Sequence, residues 1–423
     1  MIPLALEDVR GAVDGELRLG GGGPITAIEI DSRSVGPGTL FVAVGGGIAF
    51  VEDALAAGAA AALVPDDAFA TLAKLAALVR TRTEATVVAI TGSVGKTSTK
   101  DILAGLARPV VRTVAAADGH NNEIGLPLTL FRVEPDTELL VTEMGMRGLG
   151  QIASLCDVAR PHVGVITSIA PVHLERLGTL ERVAQAKAEV LAALPPGATA
   201  VVPAAEPLLD PYLRSDLDLV RFGGGGDVRL VSFEPPLLVV DVAGERVELE
   251  VPFTAEHQAW NTLPALAAYR AAGLPLERVA EGAPTIAFSR WRGEEHGLDG
   301  GALLINDAWN ANPVSMVAAL RYLCSRAGAR RPLAVLGEMA ELGPEAPAYH
   351  RAVGAAAADL GVDVVAVGNG LAREYGGTLV GSVDEAVALL RDRLREDHVV
   401  LVKASRAAGL ERVASALLQE DAP

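Results

Sequence analysis

The sequence predicts an α/β protein of several domains, and three observations carry that expectation. The chain has 423 residues, more than one hydrophobic core usually serves. Half of the residues are apolar but only 4% are aromatic, so Ala, Val, Leu and Gly must supply the burial, as where helices cover parallel strands. From residue 86 onward, short β-rich runs alternate with helical patterns, the texture of a doubly wound sheet.

Taken in order, residues 1–85 hold two strand-like runs, "ITAIEI" and "GTLFVAV", parted by the turn-rich "DSRSVGPG" and followed by an alanine-rich run, "VEDALAAGAAAALV", expected as a helix. This predicts a small N-terminal α/β domain. Residues 86–288 open with "TVVAI", continue through "ELLVTEM", "HVGVITSI" and "ATAVVPA", and pass into a turn-rich stretch at 223–253 expected as antiparallel strands. The helix pattern "NTLPALAAYRAAG" follows, completing a central parallel-sheet domain. In residues 289–423 the pattern restarts with "GALLINDA", "PLAVLGEM", "DVVAVGN" and "HVVLVKAS", four buried-strand candidates between helices, hence a C-terminal Rossmann-like α/β domain. There is no internal repeat, and the last few residues are polar.

With 36 Lys+Arg against 53 Asp+Glu the formal charge is -17. That field repels nucleic acid and anionic lipid, and no basic cluster offsets it. A nucleotide remains a possible ligand, because backbone N–H groups, one lysine and a metal ion can supply positive field locally. Cys156 and Cys324 have no metal-ligand spacing, so free thiols in a reducing cytoplasm are expected. The start "MIPLALEDVRGAV" lacks a basic region followed by an apolar core, and the longest charge-free run, Ser34–Val51, is broken by Pro37 and five glycines. Neither a leader nor a membrane span is expected.

The chemistry is concentrated in "VVAITGSVGKTSTKDIL", residues 87–103. A strand, a glycine turn and a helix start make an anion cradle, since unpaired N–H groups and the helix dipole point at one spot. Gly92, Ser93, Val94, Gly95, Lys96, Thr97 and Ser98 form the loop. Lys96 reaches β- and γ-phosphates in such loops, and the Thr97 hydroxyl is placed to ligate Mg2+. The usual G-x-x-x-x-G-K-[ST] spacing wants a glycine where Ile90 stands, so Gly92 makes the turn inside a tighter loop. Phosphate binding leaves an ATP-consuming enzyme, a nucleotide switch and a motor open. An N-K-x-D guanine reader is absent. Three further residues bear on the choice. Glu143 ends the strand "ELLVTEM", where a second Mg2+ contact belongs, or is an ordinary strand-end acid. His173 follows the next strand, as a ligand or as a packed or surface histidine. Lys187 lies on an amphipathic helix pattern, where the plain reading is a solvated lysine.

Together, "TGSVGKTSTKD", "HNNEIGLPLTL", "TEMGMRGLGQI", "VHLERLGTLERVAQAKAEV", "HQAWNTLPALAA", "DAWNANPVSM" and "VLGEMAELG" resemble, in order and over nearly the whole chain, the Mur ligases, ATP-dependent amide-forming enzymes of peptidoglycan precursor synthesis. "NNEIGLPLT" and "NANPVSM" look most like the member that adds D-alanyl-D-alanine, and a "DNPR" motif is absent. The resemblance implies ATP held by residues 92–98, one Mg2+ on Thr97 and Glu143, and a second on His173 and a carbamylated Lys187. Lys96, His173 and Lys187 are the implied catalytic residues. It implies Asn261 at the adenine, and Arg290, Asp307 and Asn310 bringing the last domain to the nucleotide. Ser32 and Arg33 would bind the uridine diphosphate of UDP-N-acetylmuramoyl-tripeptide, with Asn121 and Asn122 near the sugar. Ser405 and Arg406 would clamp the carboxylate of the incoming dipeptide, the alternative for Arg406 being a surface ion pair. The alternatives in function are a relative adding one amino acid, a folylpolyglutamate-type ligase, or a non-catalytic P-loop regulator. A cytoplasmic monomer is the default. The family's D-G-H segment after "FVA" is missing, Trp309 stands for a usual tyrosine and Ala404 for a usual glycine.

Overall fold

Three sheets organise the computed structural model, which describes residues 1–419; the polar end at 420–423 lies outside the described residues. The first sheet joins β1 (Gly15–Leu19), β2 (Ala27–Glu29), β3 (Thr39–Val42) and β4 (Ala61–Pro65) in the order β1-β4-β3-β2. Here the alanine-rich run departs from its expected single helix. A helix covers only Val51–Ala56; Gly58 then turns at φ +99°, and the chain continues as β4, with Ala59 to Leu63 buried. Alanine favours a helix locally, but a central strand flanked by β1 and β3 buries these small side chains completely, and burial outweighs propensity.

The second sheet has nine strands: β5 (Thr86–Thr91), β6 (Thr113–Ala115), β7 (Leu139–Glu143), β8 (Val163–Ile166), β9 (Thr199–Pro203), β10 (Asp218–Phe222), β11 (Val228–Glu234), β12 (Leu237–Val242) and β13 (Glu245–Glu250). Their order is β13-β12-β11-β10-β9-β8-β5-β7-β6. β5 to β10 are parallel, while β11 to β13 form the expected antiparallel ribbon. The burial follows the pairing. β7 and β8 are buried at every position, as strands covered on both faces must be, whereas β13 alternates exposed and buried residues. The chain leaves β5 toward β6 and β7 and then crosses to β8 and β9 on the other side, which makes the C-terminal end of β5 a switch point where a crevice opens. The helix Lys96–Ala107 begins there, with every residue from Thr97 to Ala107 buried. Residues 282–286 lie against its back so closely that a Cβ on Gly105 would stand 2.9 Å from the Ile286 Cα.

The third sheet orders β14 (Glu294–Gly297), β15 (Leu303–Asn306), β16 (Arg331–Leu336), β17 (Asp363–Val367), β18 (Thr378–Val380) and β19 (His398–Lys403) as β14-β15-β19-β16-β17-β18, parallel except for β14. Its two faces carry separate cores. Val399 and Leu401 join Met316, Leu320 and Leu323 on one side, and Val400 and Val402 join Val387, Leu390 and Val413 on the other. Period-2 alternation with both faces covered explains why these strands appear in the sequence as continuous apolar runs.

By contacts the chain forms two compact units. Met1–Thr167, Gln185–Phe253 and Trp260–Ala287 make one, with the first two sheets; Ser168–Ala184, Thr254–Ala259 and the chain from Phe288 make the other. The stretch with His173, expected in the central domain, thus groups with the third sheet, where Glu175 N–H donates to the Glu341 carbonyl at 3.3 Å. Among the described residues no helix is long and apolar enough to cross a membrane.

Candidate active site

The first unit gathers a phosphate loop, a carboxylate and a buried lysine at the switch point. The loop turns on two glycines, Gly92 at φ +144° and Gly95 at φ +86°, conformations that favour glycine. Gly95 immediately precedes the helix Lys96–Ala107, so the first N–H groups of a twelve-residue helix point into the loop. Lys96 Nζ donates to the Gly92 carbonyl at 2.7 Å and arches over the loop. Behind it, Thr167 Oγ1 donates to the Val94 carbonyl at 2.6 Å, stitching the loop to the end of β8. Asn261, on the helix Glu256–Ala271, presses against the loop, because a Cβ on Gly95 would come within 2.4 Å of its Oδ1.

Glu143 ends β7, the neighbour of β5, so its side chain emerges beside the loop. Thr97 Oγ1 donates to one carboxylate oxygen at 2.8 Å and Asn121 Nδ2 to the other at 2.9 Å. The hydroxyl and carboxylate expected to share Mg2+ are therefore in contact. The glutamate itself is buried. Lys187, on the helix Leu180–Ala192, is fully buried as well, which corrects the plain reading of a solvated side chain. Burial, and then the Lys96 ammonium, push its amine well below the ordinary lysine value, against an opposing pull from Glu143 and Glu189. Among the described residues no ion pair holds its charge, and no cluster of three or more His, Cys, Asp or Glu residues could hold a metal by itself.

Other expected site residues lie elsewhere or are engaged. Asn122 Oδ1 accepts from the N–H groups of Ile124 and Gly125, at 3.1 and 2.9 Å, and so starts the helix Gly125–Leu130. Ser32 and Arg33 form a short turn after β2, and Arg33, exposed, pairs with Asp31 at 2.6 Å, which holds that carboxyl down to about 2. A cavity of about 680 Å3 opens between the outer strands β2 and β6, lined in part by Arg108, Arg112, His120 and Arg132 but not by Ser32 or Arg33.

In the second unit His173, in the left-handed region at φ +55°, meets the Glu341 carboxylate through Nδ1. Asp307 follows β15 and receives a 2.6 Å bond from Lys403 Nζ, which also donates to the Asn310 carbonyl at 2.9 Å. Arg290 is exposed ahead of β14. Arg406 stacks on Trp291, 4.6 Å from the ring centroid, and pairs with Glu411, so the ion-pair alternative describes its guanidinium here. Ser405 lines a cavity of about 500 Å3 beyond β16, β17 and β19 together with Glu338, Asn369 and Arg412. Sequence reasoning missed Lys403, Arg412 and the partnership of Asn121 with Glu143. A lysine closing the all-apolar run "VVLV" was the one available signal.

A family model described as the Mur ligase middle domain matches residues 90–269, and one described as the Mur ligase, glutamate ligase domain, matches residues 291–406. The UDP-N-acetylmuramoyl-tripeptide--D-alanyl-D-alanine ligase of Mycobacterium tuberculosis (strain ATCC 25618 / H37Rv) is 35% identical over 93% of this chain and 92% of its own. Its counterpart from Escherichia coli (strain K12) is 32% identical over 99% of both. Among solved structures, MurF from Acinetobacter baumannii is similar with a TM-score of 0.88 at 26% identity over 99% of both chains. MurF ligase from Thermotoga maritima in complex with ADP gives 0.82 at 27% identity, over 93% of this chain and 97% of that one.

Proposed function

The chain belongs to the Mur ligase family, and from that premise we propose that it joins D-alanyl-D-alanine to UDP-N-acetylmuramoyl-tripeptide at the expense of ATP, a cytoplasmic step of peptidoglycan precursor synthesis. The observation that carries this reading is the loop at the end of β5 with Lys96 above it and the Thr97–Glu143 pair at 2.8 Å beside it. The carboxylate and hydroxyl beside the loop suit the magnesium-dependent phosphoryl transfer that such a ligase needs.

In the reaction, a carboxylate oxygen of the tripeptide attacks the γ-phosphorus of ATP, and the bond to the β,γ-bridging oxygen breaks to release ADP. The acyl phosphate so formed is attacked by the amine of D-alanyl-D-alanine. Collapse of the tetrahedral intermediate expels phosphate, the amine loses its proton, and the amide remains. Lys96 and the loop N–H groups orient and neutralise the triphosphate, which otherwise repels an anionic nucleophile. Hard oxygen donors fit magnesium, and Thr97 and Glu143 would hold one ion. Magnesium supplies charge neutralisation at the transferred phosphoryl group.

We assign Lys187 a carbamate. A neutral amine adds to carbon dioxide and sheds one proton, giving a carboxylate on a long stem. The burial that pushes this amine well below the ordinary lysine value supports the assignment. For the dipeptide, the cavity with Ser405, Arg412 and Glu338 offers a cation for its carboxylate and an anion for its amine.

The test is ADP release coupled to amide formation with the tripeptide nucleotide as acceptor. Turnover with D-alanyl-D-alanine, and none with D-alanine or glutamate, is expected. Turnover driven by a single amino acid overturns the specificity, and nucleotide cleavage without a new amide overturns the ligase reading.

A further inference from the structure

We propose that Asn121 is a positioning residue for Glu143: its side-chain amide fixes one carboxylate oxygen so that the other faces the Thr97 hydroxyl. The inference rests on the magnesium reading of Thr97 and Glu143 given above, and it departs from the expectation that Asn121 lies against the substrate's sugar.

The loop that carries Asn121 is held at several points. Asn121 Nδ2 donates to Glu143 Oε1 at 2.9 Å while Thr97 Oγ1 donates to Oε2 at 2.8 Å, so the two oxygens have separate partners. The Asn121 carbonyl accepts from Gly145 N–H at 2.7 Å, two residues beyond Glu143, which binds the same loop to the end of β7 a second time. Gly145 has no Cβ, and one placed there would come within 3.2 Å of the Asn121 side chain. On the other flank a Cβ at Gly125 would stand 2.2 Å from His120 Cα, and Lys100 Nζ anchors the loop's start through the Ala116 carbonyl at 2.8 Å. One of the two N–H donors of the Asn121 amide is thus used inside the protein.

The residue type matters. Lys96 and Glu143 both act on the Lys187 amine, with opposite sign. Were a cation to hold Oε1, it would cancel the negative charge a metal needs. An amide holds the oxygen by a hydrogen bond and leaves the full charge on the carboxylate, as outer partners of metal ligands do. With Oε1 fixed, the carboxylate presents Oε2 and the Thr97 hydroxyl as a preset pair.

The experiment is Mn2+ binding to the whole protein with ADP and no tripeptide, followed by electron paramagnetic resonance, for wild type, Asn121→Leu, Asn121→Ser and Glu143→Gln. Melting curves check that each folds; the backbone bond to Gly145 survives either Asn121 change, and serine keeps the result readable if leucine does not fit. Loss of an outer partner should weaken Mn2+ binding about 10- to 100-fold. The KM for the tripeptide nucleotide at saturating metal should stay within about threefold, with kcat partly restored by raised Mg2+. Unchanged Mn2+ affinity in both Asn121 variants, with a raised tripeptide KM, overturns the proposal and returns Asn121 to the substrate. If Glu143→Gln itself binds Mn2+ as wild type does, the magnesium reading falls first and this inference falls with it.

Discussion

Lys187 is the residue at which chemistry and stability pull apart. Its helix pattern permits a solvated lysine, and only the packing of the sheet buries it. Folding weakens this amine's hold on a proton that the unfolded chain keeps up to about pH 10.4, so its contribution to stability rises with pH below that value. Lys187→Met should therefore abolish ligation yet melt at a higher temperature than wild type in carbon dioxide-free buffer, with the gain shrinking between pH 7 and pH 9. A variant that loses stability at pH 7 contradicts the burial argument. Lys96 is the opposite case, legible from the sequence because the loop motif fixes its position. Removing a preorganised charge of this kind costs about 10²- to 10³-fold in kcat, which is the loss expected for Lys96→Ala in the ADP-release assay, with the melting temperature near wild type.

Among the elements, the strand–loop–helix of residues 86–107 was readable because its period, its glycines and its lysine all agree. The alanine-rich run at 51–64 was not, since alanine's helix preference is weak against burial, and the choice fell to Gly58 and the space between β1 and β3. Gly95 joins backbone and site in one position. Gly95→Ala meets both a φ of +86° and the Asn261 oxygen at 2.4 Å. Strain of about 1–2 kcal/mol from the left-handed backbone alone is expected, together with an ATP KM raised at least about tenfold. Steady-state kinetics at varied ATP checks it. The helix Pro313–Ala327 gives a control outside the phosphate loop: Asn312 caps it, accepting from Ser315 N–H at 2.9 Å, and Asn312→Ala should cost about 1 kcal/mol in chemical denaturation.

At the scale of the molecule, acid should act through buried imidazoles. Burial pushes His120, His162, His257 and His350 below their ordinary value. His350 is fully committed as neutral, with Nδ1 on the Ala346 carbonyl at 2.7 Å and Nε2 accepting from Met339 N–H at 3.0 Å. The unfolded chain takes up these protons first, so stability is complete above about pH 6.5 and falls as pH drops below it. Melting at pH 7.5 and 5.5 measures this, and equal values would refute it. The sequence by itself determined the α/β class, the phosphate loop and the family, because periodicity, glycine placement and short motifs are local properties that neighbouring residues express together. Tertiary structure alone decided that Lys187 is buried, that Asn121 holds Glu143, that Arg406 is taken by Glu411 and Trp291, and that the His173 stretch packs with the third sheet. Each of these depends on contacts between segments distant in the chain, where burial and hydrogen-bond partners, not local preference, set the energy.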